Sequence, residues 1–183
     1  MDNGASSYRR FLEGDKDAFD GIMEEYHQSL IFFIDRYVQD TAAAEDIAID
    51  VFSELIVHPR RYNFKVSLKT YLFMMGRSRA LNYIKRRNRI QTVPLEDVEG
   101  QLADRMELSE RLLADGRQRA VNDALCKLPE DMRTAVHLVY FEELSYEEAA
   151  KVMGKTRKQV DNLLYRAKGM LRTILGKVGE QLL

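Results

Sequence analysis

Apolar residues recur at spacings of three and four through most of the 183-residue chain, and nothing alternates convincingly with period two. That pattern predicts an all-α protein. Phe19, Ile22, Met23, Tyr26, Leu30, Phe33, Ile34 and Tyr37 make one buried stripe. Ala44, Ile47, Ala48, Val51, Phe52 and Leu55 make a second. A short helix over residues 6–12 leads in and stops at Gly14, and Asp15 or Asp17 caps the next. The third helix starts near Thr41 and runs to about His58, where Pro59 ends it. After a polar loop with two aromatics at residues 60–66, Ser67 caps a fourth helix that reaches about Arg89.

The fourth helix changes character halfway. Followed at about 100° per residue, its first half places Leu68, Tyr71, Leu72 and Met75 on an apolar face. Past Gly76 the same line carries Arg79, Asn82, Tyr83 and Arg86, while Ala80, Leu81 and Ile84 point roughly the opposite way. A kink at Gly76 is one explanation, and a basic, aromatic strip suited to single-stranded nucleic acid is another. A solvated basic helix end, favoured by the dipole, is the plainer reading.

Residues 91–109, with a proline, a glycine and many acids, read as a linker. A second helical unit begins near Glu110 with Leu112, Leu113, Val121, Ala124, Leu125 and Leu128. Pro129 suits the first turn of a helix through Phe141 containing Met132, Val136, Val139 and Tyr140. Residues 144–175 close the unit as a helix, a glycine turn and a longer helix. Ser145 with Glu148 forms a capping box, Gly154 supplies the left-handed turn, and Thr156 caps the second helix. Val160, Leu163, Leu164, Ala167, Leu171, Ile174 and Leu175 then form its apolar stripe, with Arg157, Lys158, Gln159, Asn162 and Arg166 outside. This is the pattern of a DNA-binding helix-turn-helix, although helical hairpins without that role share much of it.

Charge adds surfaces to these elements. The formal net charge of -1 argues against a protein that coats nucleic acid by charge alone. Its distribution is blocked. Acids dominate residues 13–54, opposed only by Lys16 and Arg36, whereas residues 77–89 carry six cations and no acid. Residues 95–115 are acidic again and 151–172 basic apart from Asp161. Such blocks suggest separate surfaces for separate partners. Asp46, Asp50 and Glu54 lie four apart on one helix side, a like-charge row that reads as a solvated face or as a surface for a basic partner. The single cysteine, Cys126, leaves no internal disulfide or cysteine-rich zinc site, and His27, His58 and His137 read as structural. No apolar run approaches the ~20 residues that span a bilayer, and the first residues lack a signal core, so the expected location is the cytoplasm without membrane insertion.

Three phrases in order carry a family resemblance. AAAEDIAIDVF, SLKTYLFMMGRSRALNYIKRR and LPEDMRTAVHLVYFEELSYEEAAKVMGKTRKQVDNLLYRAK resemble segments of the extracytoplasmic-function (ECF) sigma factors of bacterial RNA polymerase, in the sigma-70 family. The resemblance implies a region 2-like domain over residues 1–90, a linker over 91–110 and a region 4-like domain over 111–183, with its helix-turn-helix at about 145–168. By position it places Asp46, Asp50 and Phe52 on the helix that grips the core polymerase clamp. Asn63, Phe64, Lys65 and Ser67 match the loop that accepts a flipped base of the promoter −10 element, and Arg79, Asn82, Tyr83 and Arg86 fall where that strand is bound. Arg157, Lys158, Gln159 and Asn162 would meet the −35 major groove, with Arg166 and Lys168 on phosphates. Departures from the family pattern are Ile49 for Gln, Tyr71 for Trp, Ser78 for Asn, and Gln159, Asp161 and Leu163 for Thr, Lys and Arg.

The expected function is therefore promoter selection and melting by a factor bound to core RNA polymerase, with promoter DNA as second partner and an anti-sigma factor as a third. The family's linker runs through a positively charged polymerase channel, which suits the acids here. The rival is a stand-alone helix-turn-helix regulator with a helical sensing or dimerisation domain. No nucleophile–base pair, metal motif or phosphate loop is present, so neither enzyme chemistry, a cofactor nor a small-molecule substrate is expected.

Overall fold

A computed structural model describes residues 4–90, 121 and 124–176. The chain divides into two compact units, Met1–Pro94 and Leu95–Leu183. Every regular element among the described residues is helical, as the spacing predicts. The expected linker at 91–110 and the apolar pair Leu112 and Leu113 lie outside the described residues.

The first unit comprises α1 (Ala5–Leu12), α2 (Asp17–Val38), α3 (Thr41–Val57), a 3-10 turn (Pro59–Arg61) and α4 (Leu68–Ile90). The long α2 lies at the centre, against α1, α3 and α4. Its buried residues Ile22, Tyr26, Leu30, Phe33 and Ile34 follow the expected stripe. Asp15 accepts from the Ala18 N–H at 3.3 Å, supplying the start of α2 with one of its missing acceptors. Its own carboxyl sits below the usual carboxylate range, chiefly through the hydrogen bond from Arg10. Asp40 caps α3 through the Ala43 N–H at 3.1 Å, and Ser67 caps α4 through the Thr70 N–H at 3.2 Å.

Gly76 does not divide α4, which runs unbroken from Leu68 to Ile90. The glycine is buried where α2 approaches. A Cβ there would stand 2.9 Å from Leu30 Cδ1 and 3.3 Å from Ile34 Cδ1. Close helix packing explains the residue. The buried line of α4 accordingly follows Leu68, Leu72, Phe73, Gly76 and Ala80, leaving Tyr71 and Met75 half-buried.

The second unit contains α5 (Glu130–Val136), a π-helical continuation (His137–Phe141), α6 (Tyr146–Met153) and α7 (Arg157–Leu175). Pro129 immediately precedes α5, and Leu125 and Leu128 are buried beside it in sequence. The expected regular helix through Phe141 is interrupted, because a π turn inserts one residue and rotates the side chains beyond it. Leu138 and His137 turn inward, and Tyr140, expected in the apolar stripe, is 48% exposed. His137 Nε2 faces Glu142 Oε1 at 3.2 Å, both side chains buried, which makes this histidine structural as expected. Both capping boxes of the helical hairpin are complete, and Gly154 takes φ 64 at the end of α6.

Candidate polymerase and nucleic-acid surfaces

Helix α3 shows two chemical faces. Ala44, Ile47, Ala48, Val51, Phe52 and Leu55 are buried, while Asp46 and Asp50 are exposed on the other side. Phe52, which the resemblance puts on this same helix, belongs to its buried stripe as the spacing predicts: it is 2% exposed and meets Phe19 edge-on at 6.4 Å. It supports the acidic face from behind. The apolar residue that α3 does present beside Asp46 and Asp50 is Ile49, 52% exposed, one of the positions that depart from the family pattern.

The acidic row is also less free than its spacing suggests. Arg79, expected on the DNA strip of α4, donates to Glu54 at 3.2 Å and to Asp50 at 3.4 Å. Glu54, only 17% exposed, also pairs with Arg61 of the 3-10 turn. An opposite charge at this range offsets the repulsion within the row. Asp46 stands one turn away from these pairs.

Below the bridge, Arg79, Asn82, Tyr83, Lys85, Arg86 and Arg89 of α4 line a groove of about 520 Å³ with Ile47 and Asp50 of α3. All four expected strip residues therefore share one concavity. Lys85 and Arg89 join them, within reach of the basic-block reading but off its selected line. Arg87 takes another part: its guanidinium donates to the Val38 carbonyl at the end of α2, at 3.1 Å, and tethers α4 there.

Between α3 and α4 the loop at 62–66 is closely organised. The Lys65 N–H donates to Asn63 Oδ1 at 3.1 Å, which closes an Asx turn. Tyr62 Oη donates to the Val66 carbonyl at 2.7 Å. Phe64 adopts φ 60, a left-handed conformation unusual for a bulky residue. Its ring lies 4.6 Å from Tyr62, with the Arg9 guanidinium 4.9 Å above it. Asn63 and Lys65 are exposed, while Ser67 is half-buried and holds the start of α4. Residues of α1 are thus part of the loop's setting, which no local signal in the sequence announces.

In the second unit α7 displays Arg157, Lys158, Gln159, Asn162, Arg166 and Lys168, all exposed. Lys155, Gln159, Asn162, Leu163 and Arg166 line one shallow groove of about 230 Å³. Arg157 pairs with Glu147 of α6 at 2.7 Å. Gln159 Oε1 is committed to the Thr156 N–H at 2.8 Å, so only its amino end is left to face outward. Lys168 lies 5.6 Å over the Tyr140 ring. Tyr165, 81% exposed, falls within the third phrase but has no role assigned there; its one signal in the sequence is an aromatic lying off the apolar stripe.

A two-unit helical protein that pairs a basic, grooved bundle with a capped helix-turn-helix belongs to the class of transcription factors. Comparison with known proteins defines the family. Residues 22–90 match the model of Sigma-70 region 2, and residues 118–171 match that of Sigma-70, region 4. The chain is 32% identical over 167 residues to the RNA polymerase sigma-H factor of Pseudomonas aeruginosa, covering 87% of this chain and 86% of the other. It is 28% identical over 176 residues to the ECF RNA polymerase sigma-E factor of Haemophilus influenzae, covering 88% and 89%. Among solved structures, CnrH in complex with the cytosolic domain of CnrY shares the fold at TM-score 0.66 and 18% identity, over 96% of this chain and 97% of the other. RpoE in complex with the anti-sigma factor NepR from Bartonella quintana does so at TM-score 0.61 and 21% identity, over 87% and 97%. The chain belongs to the sigma-70 family of RNA polymerase sigma factors, in its ECF group. It is a promoter-directing initiation factor, and the stand-alone regulator is not favoured. Among the described residues no helix is long and apolar enough to cross a membrane.

Proposed function

We propose that four surfaces divide the work of promoter recognition. The outer face of α3, with Asp46, Asp50 and Ile49, docks on a basic, partly apolar surface of core polymerase. The loop at 62–66 receives an extruded base of the −10 element through Asn63, Phe64 and Lys65, with Ser67 holding its exit. The groove with Arg79, Asn82, Tyr83 and Arg86 follows the melted strand. Helix α7 enters the −35 major groove with Arg157, Lys158, Gln159 and Asn162 toward base edges and Arg166 and Lys168 toward phosphates.

The observation that carries this reading is the groove itself. It collects cations for phosphates and Tyr83 and Asn82 for unstacked bases. A stacked base gains about 1–3 kcal/mol on an aromatic ring, against an unstacking cost of a few kcal/mol. The groove alone does not offset melting, so polymerase docking supplies the balance. The near-neutral net charge fits a factor that binds DNA only within the holoenzyme.

It works in the cytoplasm, performs no chemistry of its own and is held in check by an anti-sigma factor, in keeping with a structural neighbour solved with such a partner. The test is run-off transcription from a promoter mapped for this protein. Specific transcripts are expected only when core polymerase and the full chain are combined. Specific, robust duplex binding by the free chain at physiological salt would sink the proposal.

A further inference from the structure

We propose that α1 is a working part of the base-receiving loop, with Arg9 as the positioning residue for Phe64. This inference rests on the proposed role of loop 62–66 in receiving a −10 base. The matched region 2 segment begins at residue 22, so α1 lies outside it.

Phe64 holds an unfavourable backbone conformation. A side chain at φ 60 is strained and needs surrounding contacts to hold it. Those contacts come from α1 as much as from the loop. The Arg9 guanidinium sits 4.9 Å above the Phe64 ring, within the range of a cation–π contact. The Tyr8 ring lies 6.2 Å from Phe64 and 5.5 Å, edge-on, from Tyr62.

Helix α1 is itself firmly anchored. Tyr8 is fully buried, and its hydroxyl donates to the Leu55 carbonyl at 2.8 Å and approaches the Pro59 carbonyl at 3.3 Å. Those carbonyls mark the end of α3 and the start of the 3-10 turn that leads into the loop. Gly4, at φ 85, begins the helix where a Cβ would come within 3.0 Å of Tyr26 and 3.1 Å of Leu68. One short helix thus ties α2, the end of α3, the turn and the loop to each other.

Arg9 is the part of this arrangement that the core does not enclose. Its side chain is exposed, and it touches the loop at the ring whose orientation decides whether a base can stack. Holding Phe64 turned before the base arrives moves its ordering cost from binding to folding.

The experiment uses holoenzyme made from core polymerase and the full chain. The probe is a fluorescent single-stranded oligonucleotide carrying the non-template −10 sequence of the promoter found by run-off transcription. Arg9→Ala is expected to weaken binding about two- to fivefold, with Arg9→Lys between it and the parent. Thermal stability should stay put. The salt dependence should keep its slope, because loss of a phosphate contact lowers that slope by about one. In a Phe64→Ala background Arg9→Ala should have no further effect. A full Arg9→Ala effect in that background, a lowered salt slope, or no effect of either single change overturns the inference. Loss of specific run-off by the unaltered chain would instead overturn the underlying reading, so the two failures are separable.

Discussion

Arg79 of α4 reaches across to Glu54 of α3, with 3.2 Å between its guanidinium and the carboxylate. The same guanidinium stands 3.4 Å from Asp50. A residue proposed to meet the DNA strand is therefore held by the helix proposed to meet polymerase. These pairs are partly solvated, so each contributes only about 0–1 kcal/mol, little enough for a stronger anionic partner to compete.

Arg79→Ala is accordingly expected to cost little stability. Thermal denaturation should show a shift of a few degrees at most, in line with about 0.5–1 kcal/mol. Promoter opening by the holoenzyme, followed by permanganate reactivity of −10 thymines, should fall much further. A large loss of stability would instead make Arg79 chiefly a structural tie.

Gly76→Ala should destabilise the first unit. Alanine favours a helix over glycine by about 1 kcal/mol, but the new Cβ meets Leu30 at 2.9 Å and Ile34 at 3.3 Å, both fully buried. Overpacking of this kind costs about 1–3 kcal/mol, and the net expectation is a loss. Urea unfolding of the parent and variant chains measures it; a gain would mean that α2 yields easily.

Tyr8 predicts an alkaline limit. Burial, followed by the neighbouring Tyr71 and Tyr62, pushes its hydroxyl from 10.0 up to about 12. The folded state thus holds the proton more tightly than the unfolded chain. That contribution is complete below pH 10 and disappears as pH rises from 10 to about 12. Tyr8→Phe should lower stability near neutrality by about 0.5–1.5 kcal/mol, through loss of the bond to the Leu55 carbonyl. It should also flatten the alkaline decline relative to the parent. Urea midpoints at stepped pH values compare the two slopes.

Gln159 separates folding from reading. Gln159→Glu keeps an acceptor for the Thr156 N–H and places an acid in the first turn of α7, so stability should hold or rise slightly. Promoter binding by the holoenzyme should drop about tenfold, because the change loses a donor and adds a charge that phosphates repel. Gln159→Ala should lose stability as well, by about 0.5–1 kcal/mol. Melting curves and −35 duplex titrations together distinguish the two variants.

Much of this protein is legible along the chain because the relevant physics is local. The stripes of α2 and α3 follow from a 3.6-residue period, and Ser145 with Glu148, Gly154, and Thr156 mark the ends of α6 and α7 within a few residues. The basic strip of α4 is visible for the same reason. The π turn at His137–Phe141 is not, since one inserted residue leaves no compositional mark and only burial shows that Tyr140 faces out.

The sequence by itself determined an all-helical chain, its capped hairpin and its blocks of charge, all consequences of neighbours three or four residues apart. Only the tertiary structure decided that Gly76 serves close packing and that Arg79 spans two helices. It also decided that Tyr8 bonds to Leu55, 47 residues away, and that Arg9 lies over Phe64. Contacts of that range depend on how buried faces pack in three dimensions, and no period or spacing encodes them.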